Sequence, residues 1–209
     1  MFSRFPNWCI LLLQIDHMSP AEFPILPFES QGKFADWLAE NHDKSDGLWL
    51  KLAKKGTNVP SITYEEAVET SLCYGWIDSQ KKGFDESFWL QRFTPRKPRS
   101  IWSRDNREKV EGLIASGQMQ PAGLAAVEQA KQNGRWQAAY DSQGTITVPD
   151  DLQTELGQNP KAKAFFDTLD SANRYAILFR LQTARKAETR TKRLRQFVEM
   201  LERGEKIHS

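Results

Sequence analysis

The sequence predicts an α+β protein in two parts: a small antiparallel sheet flanked by helices, followed by a C-terminal helical module. Three observations carry that expectation. Leu48, Leu50 and Leu52 alternate with Trp49 and Lys51, the period-two pattern of a strand with one buried side. Thr63-Tyr64-Glu65-Glu66 is a capping box, whose hydroxyl and carboxylate satisfy the free amides at the start of a helix. Beyond residue 160 the apolar residues recur at helical spacing. The 209 residues, 39% of them hydrophobic, suffice for a core without staples, and Cys9 and Cys73 cannot build a disulfide framework.

The elements follow in order. Residues 1–22 are expected to lie outside the fold, as a leader or an upstream extension. The apolar run from Trp8 to Ile15 is short for a secretory leader, no small-residue cleavage site follows it, and Met18 is a candidate start. The chain is therefore expected in the cytoplasm. Residues 23–140 form the sheet domain. Phe34, Trp37 and Leu38 mark a first helix from Ser30 to about residue 42. The capping-box helix runs to about Tyr74 and stops at Gly75. Residues 76–80 then pair with 87–93 through a turn near Gly83, and Pro95 and Pro98 close the strand. Ser103 or Asp105 caps the next helix, which ends at Gly117, and another covers about 121–132. Residues 141–151 have linker composition. Residues 152–206 form the helical module, with helices at about 160–169, 171–185 and 188–203.

Charge is clustered. The net charge of +2 divides into −5 over residues 1–78, +5 over 79–109, −4 over 110–173 and +6 over 174–209. Two basic stretches suit an anionic ligand, an acidic protein partner or nucleic acid; the alternative is that they neutralise the acidic stretches or form solvated surface. No run approaches the ~20 apolar residues of a membrane-spanning helix.

Residues 28–206 resemble the YdeI/OmpD-associated family. The resemblance rests on Cys73-Tyr74-Gly75-Trp76-Ile77-Asp78, Phe93-Thr94-Pro95-Arg96, Ser100-Ile101-Trp102-Ser103 with Asn106, and the tail from Val148-Pro149 through Ala184-Arg185-Lys186 to Gly204. It implies a YjbR/CyaY-like sheet domain, related in shape to frataxin, and a separate C-terminal module. It also implies a role in protection against bacteriocins and cationic antimicrobial peptides, or in envelope stress, and brings no reaction with it.

The stretch 73–106 interleaves Trp76, Trp89, Phe93 and Trp102 with seven basic residues, and Arg107 follows it. Arginine forks bind phosphate or carboxylate oxygens and indole offers a stacking surface, so an anionic ligand is expected on Trp76, Asp78, Arg96, Ser100, Trp102, Ser103 and Asn106. Lys186 and Arg190 extend the expectation into the tail. The alternative is that the aromatics fill the core and Ser103 only caps a helix. The leading expectation is thus a non-enzymatic binding protein. Nucleic-acid binding through 79–109 and 174–206 is the second reading, and an enzyme using Asp78 and Cys73 the third. Three scattered histidines and no glycine-rich phosphate loop give no expected cofactor, metal or catalytic residue. Asp36, Glu40 and Asp43 are too few to carry an iron role over from frataxin.

Overall fold

The computed structural model describes residues 23–208, so the expected leader and the Met18 start lie outside the described residues. The α+β expectation holds. Strand β1 (Ile25–Pro27), helix α1 (Gln31–Asn41), β2 (Leu48–Ala53), α2 (Tyr64–Cys73), β3 (Trp76–Gly83) and β4 (Phe88–Pro95) build a four-stranded sheet in the order β1-β2-β4-β3. Helices α3 (Arg104–Ala115) and α4 (Pro121–Gln132) complete the first part.

The sheet is mixed, not purely antiparallel. β2 pairs antiparallel with β4, and β4 with β3, as the leucine alternation and hairpin require. β1 adds a short parallel edge, with Ile25 opposite Trp49. Three residues ending in proline carry too little pattern to be read as a strand. The hairpin is also longer than expected. Its turn lies beyond Gly83, where the Asp85 carboxylate accepts from the amides of Ser87 and Phe88, both at 2.8 Å. A register shift between Asp78 and Lys81 bulges β3.

Leu48, Leu50 and Leu52 are at most 1% exposed and pack with Phe34, Leu38, Ile62, Leu72, Trp76 and Phe93 in the first core. The α2 capping box is present: the Glu66 amide donates to Thr63 Oγ1 and the Thr63 amide to Glu66 Oε2. Gly75 follows α2 at φ +73°, a conformation glycine adopts without strain. It aims the chain into β3.

In the C-terminal part, α5 (Asp150–Gln158) begins within the segment expected as linker. Pro149 with two carboxylates in the first turn starts a helix as well as it ends a loop. Helices α6 (Pro160–Thr168), α7 (Ser171–Gln182) and α8 (Ala187–Glu202) follow and bury a second core around Leu152, Phe166, Ile177, Leu181 and Leu201. Arg190 of α8 grips Asp151 of α5 with Nε at 2.7 Å and Nη2 at 2.8 Å, and gives Nη1 to the Leu181 carbonyl. Asn173, 2% exposed, holds the segment after α8 by accepting from the amides of Ile207 and His208.

That Arg190 clamp sets an acid response. Its hydrogen bonds hold the Asp151 carboxyl below the usual carboxylate range. A depressed folded-state value contributes stability above the unfolded pKa, near 3.9, that is lost as pH falls through the folded one. Asp151→Asn is therefore expected to lose about 1 kcal/mol at neutral pH, the pair being partly exposed. Its stability should then fall less steeply than wild type below about pH 4. Thermal melts from pH 7 to pH 2.5 check both.

The two parts meet through Asp141, 9% exposed, whose amide donates to Gln182 Oε1 while its carboxylate accepts from Gln182 Nε2. Arg104 pairs with the same carboxylate at 2.9 Å, and the Tyr140 ring meets Phe179 edge-on at 4.9 Å.

Candidate anion-binding site

Pro95 ends β4, and the next amide, that of Arg96, donates to the Gly75 carbonyl at 2.9 Å. The chain then turns tightly, with the Ser100 amide on the Lys97 carbonyl and the Lys97 amide on Ser100 Oγ. Ser103 caps α3 by accepting from the Asn106 amide at 3.1 Å. Between these fixed points Trp102, 3% exposed, packs edge-on against Trp136 at 5.0 Å. The Arg96 guanidinium lies over the Trp102 ring, 3.5 Å from its centroid.

Arg96 donates Nη1 to the Ile101 carbonyl at 3.2 Å. Its Nε and Nη2 are buried and meet no acceptor among the described residues. Those two N–H groups form the edge that takes a carboxylate or phosphate in paired fashion, the edge Arg190 presents to Asp151. Arg135 brings a third buried donor without an acceptor, its Nε. Burial pulls the Arg96 guanidinium down to about 10, so it is still a cation at neutral pH. Burial, together with the Arg185 and Arg99 charges, also lowers Arg135.

Arg96, Lys97, Ser100, Trp102, Asn133 and Arg135 line a slot of about 10 Å³, and no carboxylate is among its lining residues. That volume admits about one water-sized group. Arg185 lies beside the slot, donating Nη2 to the carbonyl of its lining residue Asn133 at 3.2 Å. Buried donors normally find acceptors, because each one left without costs about 1–3 kcal/mol. Three around one carboxylate-free slot fit an oxyanion.

The other expected residues fall elsewhere. Trp76 is 1% exposed, gives its indole N–H to the His42 carbonyl and meets Trp37 edge-on, so it is core and offers no stacking face. The expectation that indole faces open onto one cleft fails for Trp76, and Trp102 serves only as a platform beneath Arg96. Asp78, Ser103 and Asn106 line a separate crevice of about 350 Å³ with Tyr64, Tyr140 and Tyr175. There Asp78 accepts from the Tyr64 hydroxyl at 2.8 Å, and burial and that carboxylate push the phenol well up. Arg190 is held by Asp151, and Lys186 is an exposed residue at the N-cap of α8, next to Arg185.

Several of the basic residues that suggested nucleic acid are engaged within the protein. Arg107 faces Glu111, Lys109 faces Glu69, Arg203 pairs with Glu205, and Arg193 donates to the Arg180 carbonyl. Cys73 is buried in the first core, where burial and Glu69 raise its thiol, and it does not line the Asp78 crevice. Among the described residues no three His, Cys, Asp or Glu side chains are grouped to hold a metal ion, and no helix is long and apolar enough to cross a membrane.

Sequence reasoning missed Arg135 and Asn133. The available signal was Arg135-Trp136 straight after the helix stop at Gly134, a second basic-aromatic pair like Arg96 and Trp102.

From the tail, Arg185, between α7 and α8, contacts the Asn133 carbonyl beside this slot. Residues 145–204 match the family described as Bacteriocin-protection, YdeI or OmpD-Associated. The resemblance read over residues 28–206 is thus matched in its C-terminal part, while residues 26–126 match a domain of unknown function, DUF8412. No curated protein and no solved structure matches the chain.

Proposed function

We propose that the protein is a non-enzymatic binding protein of bacteriocin, antimicrobial-peptide or envelope-stress protection, working in the cytoplasm, that holds a phosphate or carboxylate group on Arg96. The observation that carries the reading is the Arg96 Nε and Nη2 pair, buried without an acceptor beside Arg135 Nε in a slot free of carboxylates. The family match over 145–204 supports the biological setting. The one-water size of the slot selects a single projecting oxyanion, as a small molecule or an acidic side chain presents it. A YjbR/CyaY-like relationship of the sheet domain belongs to the same proposal, supported by the helices that cover the Leu48, Leu50 and Leu52 face.

The test is a titration with inorganic phosphate, sulfate and acetate at constant ionic strength, followed by calorimetry and thermal shift. Saturable stabilisation above the chloride control is expected, since a ligand of the folded state stabilises by mass action. Arg135→Gln should weaken it about tenfold, the worth of one charge-assisted hydrogen bond. Shifts equal to chloride in wild type would sink the proposal.

A further inference from the structure

A second recess lies at the far end of the sheet. Gln91 pairs with Leu50 on β2 and with Lys81 on β3, so it belongs to the helix-covered face. Its neighbours on that face other than Lys81 are apolar: Leu50 and Phe93 are fully buried and Leu52 is 1% exposed. The helical cover stops at Thr63, where α2 begins. There Gln91 becomes the floor of a groove of about 910 Å³ between the end of β2, the β3–β4 hairpin and the chain entering α2. Ligand sites commonly span about 300–1,000 Å³.

Gln91 is 4% exposed and lines the groove, and unlike the Arg96 Nε and Nη2 its carboxamide is not enclosed without a partner. Such a carboxamide amid leucines offers a donor and an acceptor to whatever fills the groove, water included. The walls are flat and apolar. Leu52, Ile62 and Val59 stand with the rings of Tyr64 and Trp89, whose centroids are 5.9 Å apart. The rim is cationic, with Lys54, Lys55 and Lys81 against one carboxylate, Glu65. Lys54 is drawn to the Asp85 carbonyl, and Lys81 lies 4.2 Å above the Trp89 ring. Lys82 turns to the opposite face, over Trp49.

A donor–acceptor pair on the floor between aromatic walls suits a planar group with a complementary edge, and the lysines above suit an anion joined to it. We propose that this groove binds a purine nucleoside phosphate, its base edge on the Gln91 carboxamide and its phosphate at Lys81 and Lys55. Glutamine pairs bidentately with the N6/N7 edge of adenine. The site is distinct from the Arg96 slot, which lies five residues further along the chain, about 17 Å away at strand rise.

Adenosine monophosphate and ribose 5-phosphate, titrated calorimetrically into the full chain, test this. Wild type should bind the nucleotide about tenfold or more tightly than the sugar phosphate, the margin of one good hydrogen-bonded pair. Gln91→Leu should remove that preference and leave ribose 5-phosphate binding unchanged. Lys81→Ala, at an exposed position, should weaken both. Equal binding of the two ligands by wild type would overturn the proposal. So would nucleotide binding that survives Gln91→Leu with its preference over ribose 5-phosphate intact.

Discussion

Arg96→Met is expected to abolish the binding of inorganic phosphate and yet to stabilise the folded protein by about 1 kcal/mol. The substitution removes two buried N–H groups without acceptors, each costing about 1–3 kcal/mol. It gives up the Ile101 hydrogen bond, worth about 1 kcal/mol, and the stack on Trp102, worth about 0.5–2 kcal/mol. Methionine keeps an unbranched stem over the indole. The gain should appear as a rise of about 2–4 °C in Tm. Binding should fall about a hundredfold or more, since two charge-assisted bonds are lost. In a strain lacking the protein, the variant should fail to restore survival under a cationic antimicrobial peptide that wild type restores. A loss of about 3 kcal/mol or more would instead identify Arg96 as a structural cation whose removal strands a partner.

A residue retained at a cost to stability is the usual sign of a binding group, and it is the kind of residue sequence can point to without explaining. Arg96, Ser100 and Trp102 drew notice because basic and aromatic residues interleave there. What spacing could not supply was which faces meet. Trp76 and Asp78 lie two apart on one strand face, yet Trp76 sits under α1 while Asp78 opens onto a crevice beside Tyr64. Arg190 looked as free as Lys186, because its partner Asp151 lies 39 residues away in sequence. Local chemistry was legible where it closes within a few residues. The Thr63–Glu66 box, the stops at Gly75, Gly117 and Gly134, and the Ser103 cap all appear at their expected positions. Gln91 was invisible, since nothing in Trp-Leu-Gln-Arg-Phe distinguishes an inward glutamine from an outward one until register is known.

The frame that delivers Arg96 depends on a close approach that a glycine pair of substitutions exposes. Gly123 lies in α4, buried against the C-terminal end of α2, where the last carbonyls lack helical partners. A methyl group there would collide with the Cys73 carbonyl group and stand 2.8 Å from the Leu72 carbonyl oxygen. Backbone cannot step aside as a side-chain end does, so α4 must lift from α2. The Gly75 turn, where an added methyl would likewise stand 2.9 Å from the Ala122 carbonyl oxygen, would move with it, and Gly75 accepts the Arg96 amide. Gly123→Ala is therefore expected to cost about 3 kcal/mol or more, a Tm drop of about 6–12 °C, and to weaken phosphate binding. Gly112→Ala is the control of opposite sign. It sits on the exposed face of α3 with nothing within 4 Å of the new methyl, so helix propensity alone acts and stability should rise by about 0.5–1 kcal/mol. If both substitutions stabilise, α4 does not press on α2 as described, and the positioning of Arg96 through Gly75 loses its support.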